Sequence, residues 1–197
     1  MSEAKTEART VSDEAARDLV IATADRLYNL RGIQAVGMDA LRDASGVSLK
    51  RLYKLFPSKE IIVEEVLRSR HRRWTTSVSE AVAAASSPRE QLLAIFDYLG
   101  EWFGENDFRG CGFINSFGEL GGTIESLAGI VRDHKADFQA YVAQLVEQAG
   151  GPAWLGPQLA ILAEGAQTTA AIAGTAQAAD DARRAAQILM DAAGIKG

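Results

Sequence analysis

Cysteine occurs once, at Cys111, and histidine twice, at His71 and His134, in a chain of 197 residues. One thiol excludes an internal disulfide, and with only two imidazoles beside it no zinc-ligand set is formed. No run reaches the roughly 18 uninterrupted apolar residues that a membrane span requires. The opening MSEAKTEARTVSDEAARD is too polar for a signal-peptide core. Both observations predict a cytoplasmic protein with no membrane partner. Two-residue alternation of polar and apolar side chains is not sustained anywhere, so strands are not expected. A Gly-rich phosphate loop, a His pair at metal spacing and a Ser/His or Cys/His set are likewise missing. The sequence therefore predicts neither an enzyme nor a cofactor or metal site.

What is present is apolar residue at helical spacing, 47% hydrophobic overall, interrupted by Gly and Ser-Pro. The formal charge is −5, yet it is unevenly placed. Residues 1–73 hold fourteen Lys/Arg against eleven Asp/Glu, and the remainder holds seven against fifteen. Residues 46–59 hold four basic residues and no acidic one. An acidic total therefore does not exclude a nucleic-acid surface, because local potential steers a phosphate.

The breaks predict about nine helices, an all-α protein with a small N-terminal module and a larger helical body. The first helix opens at Ser12 as N-cap, with Ala16, Leu19, Thr23, Leu27 and Leu30 on its buried face, and ends at Gly32. Short helices fit 37–44 and 48–55. A long one opens at Ser58 and runs to about residue 83. Ser87 caps the next, with Pro88 at its first position. Residues 1–11 are expected to be a flexible tail, 12–59 a first helical domain and 60–197 a second, larger one.

The segment 37–56, GMDALRDASGVSLKRLYKLF, describes a helix-turn-helix: two short helices about a turn holding Gly46, with Ser48 positioned to cap the second. At about 100° per residue, Lys50, Arg51 and Lys54 share one arc of the second helix. Leu49, Leu52, Leu55 and Phe56 lie opposite, and Tyr53 sits on the boundary. Such a helix suits a polyanion. Phosphate contacts supply affinity, and Lys50 or Arg51 has the donors to read guanine O6 and N7. Phosphate contact alone is the alternative for Lys50 and Lys54.

The run G-V-S-x-x-x-L-Y-x-x-F-x-S-K-E over residues 46–60, with Ala24, Leu27, Gly32 and Ala44 before it, resembles the DNA-binding domain of the tetracycline-repressor (TetR) family. The resemblance reaches to about residue 70 and implies that 12–59 is a DNA-binding domain and 60–197 a ligand-binding and dimerisation domain. It implies an all-helical homodimeric regulator, most often a repressor, released from a near-palindromic double-stranded DNA operator by a small-molecule effector. It also implies that Ser48, Leu49, Lys50, Arg51, Tyr53 and Lys54 face the major groove or its phosphates, and that Lys59 holds phosphate at the start of the fourth helix. Two positions depart from the pattern. Gly37 stands where Ser or Thr usually caps the second helix and touches phosphate. Leu49 stands where polar or small residues are frequent; it either meets a thymine methyl or packs on the first helix.

In the body, Trp102, Phe103, Phe113, Phe138 and Tyr141, with Phe117, Asn115, Glu119 and Gln167, are the candidate pocket residues, an apolar set with a few polar points. His134, between Asp133 and Lys135, reads as an exposed helical position, and Cys111 as a small buried filler. The last two helices, near 157–174 and 179–193, carry small residues: Ala163, Ala166, Ala170 and Ala173 on the first, Ala182, Ala185 and Leu189 on the second. Such faces allow close helix approach. They serve either internal packing or, as the family resemblance implies, a four-helix dimer seam that sets two recognition helices one DNA turn apart. Effector binding would then pivot the long helix 58–83. The rival readings are an all-helical enzyme with a vestigial basic head and an architectural DNA binder indifferent to small molecules.

Overall fold

The structure, a computed structural model, describes residues 12–196. The tail expected over 1–11 lies outside the described residues. Among the described residues there are nine helices and no strand: α1 (Asp13–Arg31), α2 (Met38–Ser45), α3 (Leu49–Leu55), α4 (Lys59–Ala83), α5 (Pro88–Phe103), α6 (Gly112–Leu120), α7 (Glu125–Gln148), α8 (Leu155–Ala173) and α9 (Gln177–Ala192). The all-α expectation holds. None of these helices is long and apolar enough to cross a membrane. The chain divides into two compact units between Val66 and Leu67.

In the first unit, α1 packs on α2 and α2 on α3. The local punctuation explains the boundaries. Ser12 accepts from the Ala15 amide and Gly32 closes α1, Ser48 accepts from the Arg51 amide, and Ser87 accepts from the Glu90 amide at the start of α5. The buried face of α1 is Ala16, Val20, Thr23, Ala24, Leu27 and Tyr28. Leu19 and Leu30, expected inside, are about half exposed. Both the expected and the observed stripe have helical period. Burial follows the i+4 neighbours Val20, Ala24 and Tyr28, because small Ala24 lets α1 approach its partners where a leucine would hold it away.

In the second unit, α5, α7, α8 and α9 pack pairwise and α6 lies on α7. Their core holds Leu92, Phe96, Leu99, Phe138, Val142, Leu155 and Met190, joined by Val78 and Val82 of α4. Ala163, Ala166, Ala170 and Ala182 are buried inside this same core. The stripe offered as a dimer seam is thus mostly internal packing. The small side chains are spent on bringing α8 against α7 and α9 of one chain. Ala173 is exposed, while Ala185 and Leu189 are half-buried.

Two glycines frame α2 and make opposite predictions. Gly46 ends it at φ 70, ψ 4, in the left-handed region. Gly37 begins it at φ −91, ψ 174 without a side-chain cap, and a Cβ there meets no atom within 4 Å. Gly46→Ala should lower the urea midpoint of the first unit, by about 1–2 kcal/mol. Gly37→Ser should raise stability by about 0.5–1 kcal/mol, adding a cap and restricting the unfolded chain. Equal midpoints for both variants would refute this account of the turn.

Candidate nucleic-acid interface and effector cleft

Helix α3, the second of the helix-turn-helix, is only seven residues long. Leu52, Leu55 and Phe56 are buried beneath it, and Arg17 of α1 secures its end: Nη1 donates to the Leu55 carbonyl at 2.5 Å and the guanidinium lies 4.5 Å from the Phe56 ring centre. Anchored on that side, α3 turns Lys50, Tyr53 and Lys54 outward, all three exposed, with Arg51 half-buried beside them. Ser48, Lys50, Arg51, Tyr53 and Lys54 line one open groove with Asp13. Six of the seven residues expected to meet DNA are accounted for by this helix and its cap. Leu49 among them is half-buried, so it is neither wholly core nor wholly surface.

Lys59 is placed differently from the expectation. Its Nζ donates to the Ile33 carbonyl at 2.6 Å, so the ammonium serves the loop between α1 and α2. Asp13 was not anticipated at all. Its Oδ1 accepts from Arg51 Nε at 3.2 Å and Nη2 at 2.9 Å, and its Oδ2 from Lys54 Nζ at 2.7 Å. Those bonds, that from Lys54 foremost, hold the Asp13 carboxyl below its ordinary range.

In the second unit the aromatic and polar residues gather around His134, which is buried, contrary to the surface position expected. Its ring stacks on Phe113 with centres 3.5 Å apart and meets Trp74 edge-on at 5.2 Å. Trp74 in turn meets Phe138 edge-on. The His134 Nδ1 lies 3.0 Å from the Nδ1 of His71, whose Nε2 is 3.7 Å from Asp137. A cleft of about 50 Å³ is lined by both histidines with Trp74, Thr75, Val78, Ser79, Asp137, Phe138 and Tyr141. A second hollow, of about 250 Å³, shares His71, His134 and Asp137 and adds Arg68, Arg72, Ile130 and Asp133.

Of the pocket residues proposed from sequence, Phe138 and Tyr141 line the cleft and Phe113 backs it. The others lie elsewhere. Trp102 and Phe103 cluster with Phe108, and Phe117 is exposed. Asn115 donates to the Arg109 carbonyl, buried Gln167 donates to the Ala163 carbonyl of its own helix, and Glu119 is half-buried. Cys111 is buried as expected, with Lys135 Nζ 3.8 Å from its sulfur. Sequence reasoning missed His71, Trp74 and His134. The available signal was the i, i+3 pair His71 and Trp74 on a helix whose next turns bring Val78 and Val82 to the same side.

Residues 20–66 match the family of bacterial regulatory proteins, tetR family. An uncharacterized HTH-type transcriptional regulator of Mycobacterium tuberculosis is 24% identical over 125 residues, 64% of this chain and 62% of that protein. The match thus spans about three-fifths of that relative's length. The HTH-type transcriptional repressor KstR2 of Mycolicibacterium smegmatis is 32% identical over 80 residues, 41% of this chain and 39% of that protein. The crystal structure of a putative TetR transcriptional regulator from Streptomyces avermitilis superimposes with TM-score 0.79 at 27% identity, covering 92% of this chain and 99% of that one. Residues 20–66 thus match the family's DNA-binding part, and the all-helical fold is that of a putative TetR regulator of known structure.

Burial, followed by the nearby Lys135 and His71, holds the His134 pKa at about 3, against the ordinary 6.5. The folded chain thus binds this proton less readily than the unfolded one. The stability His134 contributes is complete above about pH 6.5 and is lost as pH falls from there toward 3. The urea midpoint of the wild type should drop between pH 7 and pH 5, before carboxylates titrate. In His134→Phe, which keeps a ring against Phe113, that drop should be smaller; identical slopes for the two proteins would contradict it.

Proposed function

We propose that the chain is a DNA-binding transcriptional repressor that is released from its operator by a small molecule. The observation supporting DNA binding most directly is the outward grouping of Lys50, Arg51, Tyr53 and Lys54 on a helix whose opposite face is buried. The related KstR2, a transcriptional repressor, supports repression over activation. The match of residues 20–66 to regulatory proteins speaks against the enzyme reading.

For the effector, the cleft around His71, Trp74, His134, Phe138 and Tyr141 is the candidate seat, apolar with few polar groups. It favours a small ligand with a flat apolar part, able to stack on aromatic edges, and one group that exchanges a hydrogen bond with an imidazole. Effector binding there acts on α4, which contributes to this cleft and begins at Lys59 beside the head. The coupling required is about 1–3 kcal/mol.

The homodimer that the family resemblance implies is assigned to the last two helices, by their outward sides in place of the buried alanines. Ile161 (67% exposed), Ile172 (83%) and Ile188 (68%) stand there without cover in the single chain. Two-fold pairing would cover them and present two copies of α3 to successive turns of a near-palindrome.

Two experiments test this reading. Arg51→Ala should weaken binding to a footprinted duplex about tenfold or more at matched salt, with Tyr53→Phe milder and neither unfolding the protein. Unchanged affinity would remove the recognition role, and diffuse protection without a bounded footprint would favour an architectural binder. Ile172→Asp should shift the sedimentation of a dimer toward that of a monomer at unchanged helicity. A dimer indifferent to it would place the seam elsewhere.

A further inference from the structure

We propose that Asp13 is a built-in stand-in for a DNA phosphate, which occupies Arg51 and Lys54 in the free protein and suppresses binding to non-target DNA. The inference rests on α3 being the helix that meets DNA. It assigns to Asp13, a residue of α1, a part in specificity.

The geometry is that of an anion site already filled. One carboxylate takes both Nε and Nη2 of the Arg51 fork on one oxygen and the Lys54 ammonium on the other. A phosphate offers the same pair of non-bridging oxygens to the same donors. The groove in which this happens is the one lined by Ser48, Lys50 and Tyr53, so a duplex seated on α3 reaches the carboxylate itself.

Holding the fold together does not account for the arrangement. The Lys54 side chain is 70% exposed and that of Asp13 50%, so their ion pair contributes little stability, and the Arg51 pair, with Arg51 25% exposed, only somewhat more. Arg17 supplies a separate tie from α1 to the last carbonyl of α3. The carboxylate does change the field. It cancels one of the three positive charges that Lys50, Arg51 and Lys54 present, being ionised at neutral pH like any exposed aspartate, with its two partners holding its pKa lower still.

The consequence differs between target and non-target DNA. On a random duplex, Arg51 and Lys54 gain only phosphates, and each must be won from Asp13, whose carboxylate then faces the backbone and repels it. On the operator, the Arg51 fork has base-edge acceptors to replace the Asp13 oxygens. A repulsive element of this kind subtracts more from the wrong complex than from the right one.

The test compares wild type, Asp13→Asn and Glu14→Gln on a fluorescein-labelled random-sequence duplex and on the duplex footprinted by the wild type. Binding is followed by anisotropy across a salt titration. Asp13→Asn should bind the random duplex about three- to tenfold more tightly at low salt, with a logarithmic salt slope steeper by about one, since one more phosphate contact is made. Its ratio of specific to non-specific affinity should fall. Glu14→Gln, the same charge change one residue on, should move these values far less. Unchanged or weaker binding of the random duplex by Asp13→Asn overturns the inference, as does an equal gain from Glu14→Gln. A wild type that binds neither duplex at low salt overturns the DNA-binding reading as well.

Discussion

A helix of two turns has almost no stability of its own in water, so the direction of its side chains is decided by what it buries. In α3 that decision is made by Leu52, Leu55 and Phe56, sealed below, and by Arg17 fastening the last carbonyl. Only then do Lys50, Arg51 and Lys54 share one outward side. The capping of Ser48 onto the Arg51 amide fixes where the helix begins, and with it the angular position of each cation. The remaining architecture of the head, α1 on α2 and α2 on α3, presents this short element at a defined tilt.

Much of this was legible because it is written in local chemistry. Ser12, Ser48 and Ser87 cap the helices they were expected to cap, and Gly46 takes the left-handed turn. Such devices act within four residues, so a single sequence contains all their determinants. Properties set by distant partners were harder to read. Leu19 and Leu30 sit on a stripe as regular as the one that is buried, and only the packing of α1 decides between them. The alanines of α8 and α9 promise close approach without saying to what. The structure spends them on a core within the chain, which leaves the isoleucines of the same helices outside.

Histidine was the residue least legible from sequence. His134 stands between an aspartate and a lysine, a context that reads as surface. Asp133 is indeed exposed, but Lys135 is itself drawn inside, its Nζ 3.3 Å from Glu164 and 3.8 Å from the Cys111 sulfur. What makes the inward position of His134 tolerable is a partner for its nitrogen on another helix, His71, and rings on which to stack, Phe113 and Trp74. None of the three is near in sequence except His71 and Trp74 to each other. A cleft assembled from α4 and α7, with α6 behind it, has no sequence signature shorter than the fold.

Charge shows the same division between local and global. A total of −5 argues against a polyanion as partner only if the charges act together, and at physiological salt a field fades over about 8 Å. Within that range of α3 lie Lys50, Arg51, Lys54, Arg17 and the carboxylate of Asp13; the acidic excess of the later sequence enters only through screened, long-range terms. Composition therefore sets how the protein behaves in bulk, whereas the field at α3 is set by the few side chains beside it, Asp13 at the start of α1 among them. That Asp13 lies 38 residues before Arg51 in the sequence and 2.9 Å from it in the structure is why the basic run over 46–59 overstated the free charge of the helix.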